Sequence, residues 1–210
     1  MYRAFFKRFL DFSVACMGLL ILSPVFVAVF VFLSIYYKGN PFFFQKRPGY
    51  KSRIFSVIKF KSMVDKYDSG GKPLPDGERI TRVGTFLRKT SLDELPQLIN
   101  VIKGDMSFIG PRPLLVRYLP YYTPRELKRH DVRPGITGLA QVSGRNYLEW
   151  KDRLELDVKY VENLSVALDL EIFIKTVIKV VKRSDIKVVP TGKDLDTVRK
   201  TEPQFAQQNS

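Results

Sequence analysis

Asp93 and Glu94 stand side by side in the segment RKTSLDELPQLIN, with Arg88 and Lys89 just upstream. Two carboxylates beside cations could hold a divalent ion against an anionic substrate, but such a pair is a weak signal taken alone. The same residues also spell a helix start. Ser91-x-x-Glu94 matches a capping box, and the helix dipole favours acidic residues in a first turn. Pro96 cuts against a regular helix begun at Leu92, because it removes a backbone donor. Spacing leaves both readings open. Arginines sharpen the chemical one: Arg88, Arg112 and Arg145 lie in Gly- or Pro-rich loops or at a helix end, not on a regular solvated face. A guanidinium is a planar fork matched to phosphate oxygens, so the set suggests a cleft that handles phosphate. A diphosphate substrate needs its charge neutralised, and arginines with a carboxylate-held cation would do so. His130 is the only histidine and Cys16 the only cysteine, which excludes a His/Cys metal cluster and an internal disulfide. Any metal therefore rests on carboxylates and phosphates, the chemistry of magnesium or manganese.

The elements that must position these residues follow from patterning. PFFFQ and RIFSVIKF bracket KRPGYKS, a Pro-Gly turn between two β-rich runs, and predict a hairpin. DKYDSGGKPLPDGERIT reads as a surface loop. The run from Arg82 to Gly104 carries helical periodicity, with Phe86, Leu87, Leu95, Leu98, Ile99 and Ile102 expected in the core. RPGITGLAQVSGRN has the glycine spacing of an ordered loop that brings backbone amides close to a neighbour. A helix is expected from Tyr147 to Asn163, with Trp150, Leu154, Val158 and Val161 on one face. Over residues 168–182 an apolar stripe of Ile174, Val177, Ile178 and Val181 runs beside Lys175, Lys179 and Lys182, the pattern of a helix lying at a membrane surface. An ordinary amphipathic helix packed on a soluble core has the same signature.

Between Asp11 and Lys38 the chain carries no formal charge, a run longer than the ~20 residues a spanning helix requires. Ser23-Pro24 interrupts it. Arg3, Lys7 and Arg8 precede the run, while Lys38, Lys46, Arg47, Lys51 and Arg53 follow it. Basic residues mark the cytoplasmic side, so both ends look cytoplasmic. A helix-break-helix that enters and leaves by one face fits this pattern; a proline-kinked span is the alternative. The run is too long for a signal peptide. The whole chain of 210 residues, net charge +14 and pI near 9.8 suits one domain plus this anchor. Such a surplus fits nucleic acid, anionic headgroups or a phosphorylated substrate, and the apolar run favours the last two. No helix-turn-helix or aromatic RNA-binding motif supports a nucleic-acid partner.

KFKSM (Lys59 to Met63), RITRVGTFLRKTSLDELPQLINVIKGDMSFIGPRP (Arg79 to Pro113) and RPGITGLAQVSGRN (Arg133 to Asn146) resemble the bacterial sugar transferases, the monotopic phosphoglycosyl transferases that start polyprenyl-linked glycan assembly. The resemblance covers roughly residues 1–185. It implies transfer of a sugar 1-phosphate from a UDP-sugar to undecaprenyl phosphate with release of UMP and with Mg2+ as cofactor. The expected donor is an N-acetylated amino sugar such as diacetylbacillosamine, as in the small members that serve protein glycosylation. Asp93 aligns with the family nucleophile and metal position, and Glu94 with its partner. Arg88, Arg112 and Arg145 map onto phosphate-holding positions, Lys59 and Asp157 onto supporting polar ones, and Ser23-Pro24 onto the re-entrant break. The expected fold is mainly α with a small β-hairpin: a re-entrant membrane anchor over 1–38, a catalytic domain at the cytoplasmic membrane face over 39–190 with amphipathic interfacial helices, and a loosely ordered polar tail over 191–210. With no spanning helices ahead of the anchor, the sequence looks like the minimal form of the family. The rival from another class is a membrane-tethered basic scaffold or nucleic-acid-binding protein.

Overall fold

Two helices, α1 (Lys7–Ile21) and α2 (Ser23–Tyr36), open the chain and are bent by 64° where they meet. The computed structural model describes residues 2–144, 148–182, 194–200, 202 and 205. The bend has a local cause. Pro24 lacks the N–H that would have reached the Leu20 carbonyl, and the Ser23 hydroxyl donates to that carbonyl instead, at 2.7 Å. A break satisfied by its own side chain is tolerable in an apolar medium. Among the described residues no single helix is long and apolar enough to cross a membrane, and α1 with α2 passes that test only as a bent pair.

The expected hairpin is present: β1 (Phe42–Pro48) runs antiparallel to β2 (Ile54–Phe60), with Phe42 opposite Phe60 and Pro48 opposite Ile54. A polar loop carrying the short helix α3 (Asp76–Arg79) leads to α4 (Arg82–Thr90) and α5 (Gln97–Lys103). Then β3 (Ser107–Ile109) pairs in parallel with β4 (Gly135–Thr137), a second sheet that patterning did not foresee. Between them lie the 3-10 segment Val116–Tyr121 and α6 (Pro124–Leu127), and after them α7 (Leu139–Ser143), α8 (Trp150–Glu162), α9 (Val166–Lys182) and α10 (Leu195–Arg199). The structure is thus mostly helical, as expected. The glycine-rich loop owes its composition to close approach: a Cβ on Gly135 would sit 2.2 Å from the Gly110 nitrogen.

The periodic run from Arg82 is not one helix. Ser91 turns left-handed (φ 57°) and ends α4, a 3-10 turn spans Leu92–Glu94, and α5 begins only after Pro96. The break also changes which residues are buried. Phe86 is 59% exposed, against expectation, while Gln97 and Asn100 join Leu98 and Val101 inside. Asn100 earns burial by acting as a strand neighbour: its Oδ1 accepts from Ile58 N at 3.0 Å and its Nδ2 donates to Ser56 O at 2.8 Å. In α8, Leu154, Val158 and Val161 face the core as expected. The helix begins at Trp150, with Glu149 as its extended N-cap, and not at Tyr147, which lies outside the described residues.

The two ends of the α1–α2 pair dock on one domain. Ala15 packs with Val57, Val101 and Met106, and Leu33 packs with Phe60 and Leu87. Lys7 and Arg8, two of the basic residues that precede the apolar run, turn inward. Lys7 is buried and its Nζ donates to Asp169 at 2.7 Å, beside Asp11 and the Tyr160 hydroxyl, which lies 2.7 Å from the same carboxylate. Arg8 donates to the carbonyls of Val101 and Ile102, closing the C-terminal end of α5. Removing one partner of a buried pair strands the other charge. Asp169→Ala is therefore expected to lower stability by about 3–5 kcal/mol, measured by chemical unfolding of the detergent-solubilised protein. A change below about 1 kcal/mol would reduce the pair to a surface contact.

On α9 the core side is Ile172 and Thr176, the latter 2.8 Å from the Thr137 hydroxyl, while Phe173, Ile174, Val177 and Ile178 stay about half exposed. The expected apolar stripe is thus uncovered rather than packed inside; the side chain of Val181 lies outside the described residues. Over residues 194–200, a described stretch of the tail, the expectation of loose order is corrected. Leu195 is fully buried against the Val116–Tyr121 segment, and Arg199 pairs with Glu126 through both terminal nitrogens, at 2.7 and 2.6 Å. One apolar residue and a long-range ion pair order α10, and neither leaves a periodic mark in a polar stretch.

Candidate active site

Thr81 caps α4 by accepting from Gly84 N at 2.8 Å, and Gly84 lets the helix touch the chain just beyond β2. A Cβ there would lie 1.8 Å from the Ser62 carbonyl oxygen. One turn later Arg88 meets the same segment, donating to Ser62 Oγ at 2.9 Å and approaching Met63 Sδ at 3.0 Å. The left-handed Ser91 then swings the chain so that Asp93 and Glu94 sit on the 3-10 turn facing β2. Ser91 is the end of one helix rather than the cap of the next, and Glu94 makes no capping bond. The capping-box reading is therefore set aside.

Glu94 is instead the hub of an ion cluster. Its Oε1 accepts from Lys59 Nζ on β2 at 2.7 Å and from a terminal nitrogen of Arg112 at 2.7 Å. Burial pushes the Glu94 carboxyl up, but Arg112 and Lys59 outweigh it and hold the group well below the usual carboxylate range. Asp93 goes the other way. Burial first, and the Glu94 charge second, push its carboxyl up to about 6, against the pull of Lys59, Arg88 and Arg112. Asp93 is buried, and among the described residues its carboxylate accepts no hydrogen bond. Two adjacent carboxylates driven apart in this way take different roles. Glu94 is spent on organising cations, and Asp93 is left available.

Arg112 follows β3 through Gly110-Pro111 and is flanked by Pro113, so its backbone is confined. Its side chain stays 41% exposed, leaving donors beyond the one on Glu94. Asp157 does not join the dyad. It is buried on α8 in a pair with Arg129, whose Nε and terminal nitrogen donate to its carboxylate at 3.1 and 2.7 Å. The same guanidinium donates to the Arg112 carbonyl at 2.7 Å, so Asp157 supports the site through Arg129 and the Pro-Arg-Pro turn. Sequence reasoning missed Arg129, which sits in an unremarkable basic run. Arg145 lies outside the described residues. Ser23 and Pro24 belong to the helix break described above.

Among the described residues no group of three or more His, Cys, Asp or Glu side chains could hold a metal by itself. The donor set still suits a hard cation bound by one or two carboxylates together with substrate phosphates. Asp93, whose carboxylate accepts no hydrogen bond among the described residues, would be the ligand for it, since Glu94 is engaged by two cations.

Lys59, Arg88 and Arg112 thus gather around two adjacent carboxylates, on a domain that carries a bent apolar helix pair. The bacterial sugar transferase profile matches residues 2–183. The chain is 48% identical over 187 residues to the uncharacterized sugar transferase EpsL of Bacillus subtilis, across 86% of this chain and 90% of that one. It is 39% identical over 186 residues to the UDP-N-acetylgalactosamine-undecaprenyl-phosphate N-acetylgalactosaminephosphotransferase of Aeromonas hydrophila. It is also 39% identical over 184 residues to the UDP-glucose:undecaprenyl-phosphate glucose-1-phosphate transferase of Klebsiella pneumoniae. Each of these two matches covers 83% of this chain but only 43% and 40%, respectively, of the longer relative. The chain belongs to the bacterial sugar transferase family. It is an enzyme of the sugar-phosphate-transferring class.

Proposed function

We propose that this enzyme moves a sugar 1-phosphate from a UDP-sugar to undecaprenyl phosphate by way of a covalent aspartyl intermediate. The observation that supports it most is the split dyad: a neutralised Glu94 beside a buried, unpartnered Asp93. In the first step an Asp93 oxygen attacks the β-phosphorus, and a bond forms from carboxylate to phosphorus. The bond from that phosphorus to the bridging oxygen breaks, and UMP leaves with the electron pair. In the second step an oxygen of undecaprenyl phosphate attacks the acyl phosphate and frees Asp93. Arg88 and Arg112 lower the repulsion between the anionic nucleophile and the diphosphate. Mg2+, held by Asp93 and substrate oxygens, would supply further charge neutralisation.

The same-face docking of α1 and α2 supports a re-entrant anchor, because the chain leaves and rejoins one domain. The uncovered stripe of α9 supports a resting position at the lipid surface. We place the enzyme at the inner membrane with its site on the cytoplasmic face, where undecaprenyl phosphate keeps its phosphate at headgroup depth. For the sugar we propose an N-acetylated amino sugar such as diacetylbacillosamine, at the first membrane step of glycan assembly, including protein glycosylation. Neither named transferase above carries a bacillosamine name; theirs are N-acetylgalactosamine and glucose. A panel of UDP-sugars assayed for UMP with undecaprenyl phosphate and Mg2+ tests both the reaction and the sugar. UDP as the nucleotide product would overturn the reaction.

The rate of UMP release should also depend on pH in one direction. Asp93 must be ionised to attack, and burial with the Glu94 charge pushes its carboxyl up to about 6. Release is then expected to be slower at pH 5 than at pH 8, by up to ~10-fold. A bound cation draws the midpoint lower, so a rate that rises only above pH 7 would count against Asp93.

A further inference from the structure

Three of the four arginines gathered around the Pro111–Pro113 turn face carboxylates. Arg112 is paired with Glu94 at 2.7 Å, Arg129 with Asp157 at 2.7 Å, and Arg117 with Asp194 and, at 3.6 Å, Asp196. Arg47 differs. It sits on β1, partly buried, and its guanidinium donates to the neutral side chain of Gln45, two residues back on the same strand. Among the described residues it forms no ion pair. β1 packs on the Val116–Tyr121 segment, which brings Arg47 near Arg112, Arg117, Tyr118 and Tyr122. Burial first, and the Arg112 charge second, depress its guanidinium to about 10. A partly buried guanidinium beside a second one, with no carboxylate of its own among the described residues, is costly unless an anion arrives.

The surroundings are built of rings and further cations. The Trp150 ring meets Tyr118 edge-on at 5.5 Å, Arg153 lies over Trp150 at 4.6 Å, and Arg129 lies over Tyr122 at 5.5 Å. These contacts fix the walls, while Arg47 keeps donors that no carboxylate uses.

We propose that Arg47 and Arg112 together form a phosphate-binding subsite, distinct from the attacked phosphoryl group at Asp93. The ligand is a phosphate ester, either the α-phosphate of the nucleotide or the phosphate of the polyprenyl acceptor. The proposal rests on the phosphoglycosyl transferase reading for the identity of these two esters. Its physical basis is independent of turnover.

The test is calorimetric titration of the full chain in detergent with UMP, and separately with farnesyl phosphate, in magnesium buffer. Trp150, the only tryptophan, gives a second, fluorescent readout. Arg47→Gln is expected to weaken one of the two ligands by about tenfold or more, as loss of a charge-assisted phosphate contact does. Arg47→Lys should recover part of the loss, uridine should bind both forms alike, and the unfolding midpoint of Arg47→Gln should not fall below that of the wild type. Loss in the UMP arm assigns the nucleotide phosphate; loss in the farnesyl phosphate arm assigns the lipid phosphate. Arg125→Gln, in the exposed network with Glu155 and Glu162, serves as control and should change neither. Unaltered affinity of Arg47→Gln for both ligands overturns the subsite, as does absence of binding by the wild type. If Arg47 proves necessary for binding but the wild type releases no UMP from any UDP-sugar, the subsite stands and the reaction assignment falls.

Discussion

Asp93→Asn is expected to abolish UMP release from UDP-sugar and magnesium, both with and without the lipid acceptor. The loss should reach at least ~10^4-fold, the scale seen when a covalent nucleophile is removed. Mass spectrometry of the intact wild-type protein, incubated with donor alone, should show a phosphosugar adduct that the variant lacks. The change is clean because of the local geometry. Asp93 accepts no hydrogen bond among the described residues, so the amide orphans no partner. Its pKa is raised by burial and by Glu94, so the fold disfavours the charge that the variant removes. The unfolding midpoint should stay at or above that of the wild type, and lost activity cannot then be ascribed to unfolding. Glu94→Gln separates the two carboxylates. It strips Lys59 and Arg112 of their common acceptor, and it removes a charge that raises Asp93. Turnover should fall, and the acid limb of UMP release should move to lower pH. A one-step displacement makes different demands: no adduct on active enzyme and intersecting double-reciprocal lines instead of the parallel lines of a two-step exchange. Those two results together would remove Asp93 from its role.

Arg112→Lys is the second large effect, expected to cost about 10^2–10^3-fold in kcat/KM, the range for one lost donor to a developing anion. Lysine keeps the charge near Glu94, so the dyad stays neutralised and the domain folds. What it loses is the fork. Arg112 donates from one terminal nitrogen to Glu94 at 2.7 Å and only at 3.5 Å from the other to the Ile136 carbonyl, so its half-exposed guanidinium keeps donors to offer a phosphate, whereas an ammonium is a single point charge on a flexible stem. Its backbone is fixed by two prolines and by the Arg129 bond to its carbonyl, so the lysine cannot recover by shifting the turn. Wild-type kcat/KM in this variant would make Arg112 a structural partner of Glu94 and nothing more.

Some of this architecture is written in short stretches of sequence. Ser23-Pro24 specifies its own break, because the lost donor and the replacement hydroxyl meet at a single carbonyl one turn back. The hairpin follows from its β-rich runs and Pro-Gly turn, and α8 from its apolar spacing. The dyad is visible as two adjacent letters. Its division of labour is not. Lys59 and Arg112 reach Glu94 across 35 and 18 residues of chain, and only that convergence turns an apparent capping box into a neutralised carboxylate beside a free one. The same limit hides the partners of Lys7 and Arg8. In the sequence they are two basic letters before an apolar run, and only the fold brings Asp169, 162 residues from Lys7, and the end of α5 to them. It also explains α10, which a polar tail concealed, and Asp157, which acts through Arg129. Periodicity, turn chemistry and proline act over a few residues, so the sequence by itself determined the bend at Ser23-Pro24 and the β1–β2 pairing, but neither the break at Ser91 nor the β3–β4 pairing. The pairing of cations with carboxylates is set by which buried charges can neutralise one another once the chain has folded, and that only the tertiary structure decided.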